Sequence, residues 1–324
     1  MGVLADKFVT DAVEMRQAYC AALMKEAAEN AKITVVDADV SNSVGTGPFY
    51  EKFPDRSINC GIMEAHAVGL CAGMSAMGLV PFFHAFGVFA TRRVFDQIFI
   101  SCAYQNLNVK IIGADPGVTA ATNGGTHMPF EDLGLMRLIP NATIVEPADS
   151  SMYNFAVKFM ADNYGLFYLR TSRRKTVKIY GDGARFEIGR ANKLADGDDV
   201  CIFACGIMVY EALKARELLA KKGVFASVYD MHTIKPVDSA AVIYEAKKCG
   251  AIVTAENHNV IGGLGSAVCE VVSENYPVPV ERVGVEESFG EVGSQEYLQS
   301  RFGLTAEKIA ERALKSIERK LKRK

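Results

Sequence analysis

The sequence lacks a surplus of either charge, a C-x-x-C pair and a phosphate loop, and each absence removes a class of function. Its 36 basic residues against 38 acidic ones give a net charge of -2. That leaves no electrostatic footprint for nucleic acid or an anionic membrane surface. The eight cysteines show no metal-ligand spacing. Cys201 and Cys205, four apart on a predicted buried strand, read as small core residues, and a reduced, cytoplasmic setting is expected. No G-x-x-x-x-G-K-[ST] occurs, and Gly262-Gly263-Leu264-Gly265 falls short of the dinucleotide fingerprint. The start of the chain carries Asp6, Lys7, Asp11 and Glu14, so no signal peptide is expected.

The longest uncharged stretch runs from Ala65 to Thr91 and holds no Asp, Glu, Lys or Arg, only two histidines, His66 and His84. Gly69, Gly73, Gly78, Pro81 and Gly87 interrupt it. It therefore reads as a buried helix, a short strand and a new loop, not a membrane span.

What is present is an alternation of helix and strand. Helical periodicity covers residues 10–30, with Ala12, Met15, Tyr19, Ala22 and Leu23 on one face. Short apolar strands are predicted at 33–36, 79–83, 109–112, 142–145 and 166–169. Strands separated by helices imply a parallel sheet covered on both faces. After Tyr180-Gly181-Asp182-Gly183 the alternation restarts, with strands at 199–204, 226–229 and 251–254, a helix at 210–222 and another at 238–248. A basic amphipathic helix over about 305–322 reads most simply as a solvated tail. The expectation is an α/β chain of two domains, 1–183 and 184–324.

One carboxylate stands out. Glu64, in Asn59-Cys60-Gly61-Ile62-Met63-Glu64-Ala65-His66, heads the uncharged run. Burying a lone carboxylate costs several kcal/mol unless it is paired or protonated. Either it is a helix-start glutamate held by amide groups, or it has chemistry to do. Ligands in open parallel sheets sit beyond the carboxyl ends of strands, and several unusual residues fall there. Asp37, Asp39, Ser41 and Ser43 follow the first strand, and Phe86 and Phe89 follow the one at 79–83. Asp115 and the loop to His127 follow 109–112, and Arg170, Arg173 and Arg174 follow 166–169. Phe86 and Phe89, spaced i, i+3, also suit a core. His127 sits in a glycine-rich loop where a ligand contact and a loop-stabilising hydrogen bond are equally served. The arginines suit a phosphate or carboxylate, or a solvated face.

In order and spacing, these segments resemble the C-terminal half of transketolases, in the form carried by a separate subunit. The matching residues include Val36-Asp37-Ala38-Asp39-Val40-Ser41, Phe53-Pro54-Asp55-Arg56, Gly61-Ile62-Met63-Glu64-Ala65, Gly125-Thr126-His127, Leu135-Met136-Arg137, Glu146-Pro147-Ala148-Asp149, Asp230-Met231-His232-Thr233-Ile234-Lys235-Pro236 and Ala255-Glu256-Asn257-His258. The resemblance implies a thiamine-family pyrimidine-binding domain followed by a transketolase C-terminal domain. It implies transfer of a two-carbon ketol unit from a ketose or ketose phosphate to an aldose or aldose phosphate, with thiamine diphosphate and Mg²⁺. Glu64 then hydrogen-bonds the cofactor's aminopyrimidine, with Phe86, Phe89 and Asp39 completing the cofactor contacts. His127 binds sugar oxygens and acts with Glu64 in catalysis. Arg16, Ser43, Asp115, Asn123 and Arg173 are the remaining substrate positions. No metal ligand is expected here: Gly181-Asp182-Gly183 opens like the thiamine diphosphate–metal motif, but no asparagine lies between Asn192 and Asn257 to complete it. Diphosphate and metal therefore fall to an N-terminal partner subunit, with two copies of each chain.

Three positions depart from the family. Asp115 stands where histidine is usual, Asn123 where aspartate is usual, and Arg92 where a third aromatic is usual. A beta subunit of a 2-oxo-acid dehydrogenase, which shares the fold, and a degenerate assembly module are the alternatives.

Overall fold

Twelve strands form two sheets in the computed structural model, which describes residues 4–322. The strands are β1 (Ile33–Asp37), β2 (Ser57–Asn59), β3 (Val80–Phe86), β4 (Lys110–Ala114), β5 (Thr143–Val145), β6 (Phe167–Thr171), β7 (Asn192–Ala195), β8 (Val200–Ala204), β9 (Ala226–Asp230), β10 (Thr233–Lys235), β11 (Ile252–Asn259) and β12 (Val280–Val285). The first sheet has the order β10-β5-β6-β4-β3-β1-β2 and the second β12-β11-β8-β9-β7. All neighbours are parallel except β10 on β5 and β7 on β9. β10 is the exception to a simple division of the chain, because it leaves the second half to pair with the edge of the first sheet.

The central strands are mostly apolar because both faces are covered. Along β1, Ile33 and Val35 face one layer and Val36 the other; along β3, Phe82 and Phe83 divide in the same way. One layer holds α1 (Met15–Glu29) and the other α2 (Glu64–Ala76). Both apolar layers run on into the second sheet, where Ile202 joins the first and Phe203 the second. Cys201 and Cys205 are fully buried in this core. The last helix, Ala306–Leu321, is not a solvated tail. Ile309, Ala310 and Ala313 pack into the core, and Arg312, Lys315 and Arg319 all reach the buried Glu281. Among the described residues, no helix is long and apolar enough to cross a membrane.

A buried charge network joins the two sheets. Arg170, on β6 and 1% exposed, donates through Nε and Nη2 to Asp132 at 2.8 and 2.5 Å, and through Nη1 to Glu146 at 2.8 Å and to the Asn257 carbonyl at 3.2 Å. Tyr168 adds a 2.6 Å bond to Asp132. Burial pushes the Asp132 carboxyl upward, but Arg170 outweighs it and holds the group below the usual range. Nearby, Glu256 accepts from the backbone N–H groups of Leu264 and Gly265 at 2.7 and 2.8 Å, filling the start of the helix Leu264–Asn275. Burial still raises it to about 7.

Removing one partner of such a pair leaves an uncompensated buried charge, so Asp132→Ala should lower the free energy of unfolding by about 3–5 kcal/mol in a denaturant titration. A second expectation concerns pH. The folded chain holds the Glu256 proton more tightly than the unfolded chain, so this group's stabilisation fades as pH rises from 4.5 to about 7. Glu256→Gln should flatten that part of the Tm–pH curve, leaving the contribution of Asp230, which burial lifts to about 8.

Candidate active site

The strand order places the carboxyl ends of β6, β4, β3 and β1 side by side. Three non-glycine residues along this edge have left-handed backbones: Asp39 (φ 62°), Asp115 (φ 52°) and Ala121 (φ 47°). Such conformations cost on the order of 1–3 kcal/mol each and gather at functional sites. Asp39 is held by hydrogen bonds from its N–H to Asp37 Oδ1 at 3.0 Å and to Asn59 Oδ1 at 3.1 Å. Its side chain is exposed and accepts from Asn59 Nδ2 at 3.0 Å, at the β1–β2 end of the rim.

Glu64 is both a helix-start residue and buried. It is the first residue of α2, only 4% exposed, and its Oε1 accepts from Arg93 Nη1 at 2.7 Å. The Arg93 guanidinium lies 3.8 Å from the centre of the Phe89 ring, a cation–π contact. Phe89 in turn meets His127 edge-on at 5.1 Å, and Phe86 meets His127 at 5.4 Å and Phe89 at 6.4 Å. The half-buried trio Phe86–Phe89–His127 therefore forms a wall linked to the carboxylate through Arg93, with Phe89 also packed against the core beneath it. Thr126 Oγ1 lies 2.9 Å from His127 Nδ1 and orients the ring.

The trio depends on the second sheet's loops. A Cβ on Gly125 would fall 2.2 Å from the Gly290 carbonyl oxygen, so only glycine lets the His127 loop rest there. Asn257 accepts from the Val118 N–H at 2.9 Å and donates to the Pro116 carbonyl at 2.9 Å, fixing the start of the same loop.

Of the remaining candidates, Asp115 and Arg173 bind each other. Asp115 is fully buried and accepts from the Arg173 N–H at 2.9 Å, while its other oxygen pairs with Arg173 Nε. Burial pushes the Asp115 carboxyl up, against the pull of Arg173. Arg173 also lies 5.5 Å from the Phe86 ring, which links this pair to the aromatic wall. Arg16 donates to the carbonyls of Asn42 and Ser43 at 3.0 and 3.2 Å and pairs with Glu14 at 2.8 Å. The Met15 N–H bonds the Arg174 carbonyl at 3.1 Å, bringing the start of α1 beside the end of β6. Asn123 is half-buried just before the His127 loop. Arg92 is exposed and pairs with Glu131 at 2.9 Å. Arg170 neither faces solvent nor offers itself to an anion, since every part of its guanidinium is engaged inside.

Arg93 was not singled out from sequence. The signal was there: Arg92 and Arg93 are the first charges after the run that Glu64 opens, and a buried carboxylate needs a partner.

A buried carboxylate beside an aromatic wall, at the carboxyl edge of a parallel sheet, fits a flat, nitrogen-rich ring that is stacked on one face and hydrogen-bonded at its edge. This is the arrangement that the resemblance to the pyrimidine-binding domain of the thiamine enzymes implies, followed by a second α/β domain. Residues 11–178 match the transketolase pyrimidine-binding domain and residues 189–309 the transketolase C-terminal domain. The chain belongs to the transketolase family, whose members depend on thiamine diphosphate. It is 47% identical to a 6-deoxy-6-sulfo-D-fructose transketolase subunit from a Clostridium species, over 94% of this chain and 95% of that one. It is 35% identical to one of the subunits of an apulose-4-phosphate transketolase from Phocaeicola vulgatus, over 95% and 98%. The solved structure of a split-gene transketolase, an inactive beta4 tetramer, superposes with a TM-score of 0.89 at 42% identity, covering 95% of this chain and 99% of that one.

Phe89 touches both His127 and Arg93; on the reading that this wall holds the cofactor ring, Phe89→Ala should weaken thiamine diphosphate binding by roughly tenfold, within the range of an aromatic contact plus its buried area. Fluorescence titration of the assembled enzyme checks this.

Proposed function

We propose that this chain is the pyrimidine-binding subunit of a two-subunit transketolase that moves a two-carbon ketol unit from a ketose with an acidic far end to an aldose. The observation that carries this reading is Glu64, buried beside the Phe86–Phe89–His127 wall. Thiamine diphosphate, when bound, supplies the carbon nucleophile and electron sink of the reaction. Glu64 shares a proton with a ring nitrogen of the aminopyrimidine, in a site whose burial strengthens that bond. Phe86 and Phe89 hold the ring by its face, and Asp39 completes the cofactor contacts at the end of β1. His127, oriented by Thr126, hydrogen-bonds the oxygens of donor and acceptor through its free ring nitrogen. Asn123 and Asp115 stand at sugar-hydroxyl positions, and Arg16, Ser43 and Arg173 meet the far end of the ketose, where Asp115 is paired to Arg173.

The diphosphate and Mg²⁺ are assigned to a partner subunit. Among the described residues, no group of three or more His, Cys, Asp or Glu side chains is placed to hold a metal. Beside the aromatic wall lies a groove of about 840 Å³ lined in part by Met128, Phe130, Leu138, Ile261 and Phe289. Leu138, Ile261 and Phe289 are 69%, 60% and 97% exposed. Apolar exposure of this kind beside a site marks an interaction surface, and it suits the partner, with two copies of each subunit in the assembly. We take 183/184 as the boundary between the chain's two domains, within the stretch that neither family domain covers. Eight free cysteines, six of them buried, suit a reducing, cytoplasmic setting.

The test is ketol transfer by this chain alone and with its diphosphate-binding partner. Activity is expected only in the mixture. Within the mixture, Glu64→Gln should lower kcat by about 100-fold or more, the scale of a lost general acid–base group. A wild-type rate in that variant would refute the role given to Glu64.

A further inference from the structure

The far-end site is charge-compensated, and that sets what it can bind. Two of the arginines assigned to it, Arg16 and Arg173, each carry a carboxylate of their own. Arg173 is paired with the fully buried Asp115, which also accepts from the Arg173 N–H, so the pair is built into the backbone turn at the end of β4. Arg16 is paired with Glu14, and its Nη1 is taken by the carbonyls of Asn42 and Ser43. Arg174 is exposed and lies within electrostatic reach of both Asp115 and Glu296. Arg16 and Arg173 are thus matched by Glu14 and Asp115, while Arg174 and Lys175 stay exposed outside these pairs.

Hydrogen-bond donors remain even so. The terminal nitrogens of Arg173 and the hydroxyl of Ser43 make no bond among the described residues, so the Arg173–Asp115 pair offers a fork of donors with little net positive charge of its own. A phosphate monoester carries a charge of about -1.5 to -2 at neutral pH. A sulfonate has the same three acceptor oxygens and a single charge at every physiological pH. Each excess negative charge would sit near the Asp115 carboxylate, in surroundings where like charges repel far more than in water.

Resting on the proposed reading that these residues meet the far end of the ketose, we infer that Asp115 is a specificity-determining residue that makes the site select a singly charged end group, a sulfonate, over a phosphate.

The test offers the reconstituted complex two ketoses alike except at C6, one a 6-phosphate and the other a 6-deoxy-6-sulfonate, and compares kcat/KM. The wild type should favour the sulfonate by about tenfold or more, the effect of one unfavourable charge contact near a protein surface. Asp115→Asn keeps the shape and the acceptor for the Arg173 N–H but removes the charge, and should move the ratio about tenfold toward phosphate. Glu14→Gln, at a half-exposed position, should move it the same way by less, and it carries the test if the Asp115 variant does not fold. A wild-type preference for phosphate would overturn the inference, as would a folded Asp115→Asn variant with an unmoved ratio or, where that variant does not fold, a ratio that Glu14→Gln leaves unmoved. Transfer from neither donor would overturn the proposed function, and this inference with it.

Discussion

Arg170 sits between two carboxylates and a carbonyl with almost no contact with water, and the geometry of the candidate site follows from that arrangement. Taking a guanidinium and two carboxylates out of water is expensive, and the arrangement is tolerable only because the fork-shaped donors are matched one by one. Its partners come from separate parts of the chain. Asp132 begins the helical turn after the His127 loop, Glu146 follows the end of β5 and Asn257 belongs to β11. Asp132 therefore fixes where the His127 loop ends, while the Asn257 side chain fixes where it starts. The loop is clamped at both ends by one network, and His127 meets Phe86 and Phe89 as a consequence.

This gives the second domain a physical role at the site although it supplies none of the candidate side chains. β11 provides Asn257, and the loop around Gly290 provides the surface on which Gly125 rests. The domain works as a template for a loop that could not hold its own shape, given the strained backbone at Asp115 and Ala121.

Much of this was legible in the sequence, for reasons that can be named. The central strands are continuous apolar runs because both faces are covered, and such runs are conspicuous. β2 and β10, three residues each, and the edge strands β7 and β12 were missed because an edge strand, short or only half covered, lacks the continuous apolar run of a central one. Glu64 was conspicuous because nothing charged follows it for 27 residues. The arginines after β6 were opaque for the opposite reason. Arg170, Arg173 and Arg174 look alike in sequence, yet one is buried in the core, one is locked to a buried aspartate and one is exposed. Which of three neighbouring guanidiniums faces which way depends on carboxylates up to 58 residues away in the chain. The last helix was misjudged because a strongly basic face conceals that the opposite face is apolar and packed.

The path of β10 bears on how such a chain can be divided. Thr233 and Lys235 pair with Val145 and Ile144, so the outer edge of the first sheet is closed by residues encoded some ninety positions later. A break near residue 183 would look clean in sequence, falling between two repeating patterns. It would leave β5 with a bare hydrogen-bonding edge, open to pairing with any passing strand. The two halves are modules in the order of their elements but not in their integrity. A gene fission at that point would produce two aggregation-prone fragments, so the boundary visible in the sequence is a poor place to cut.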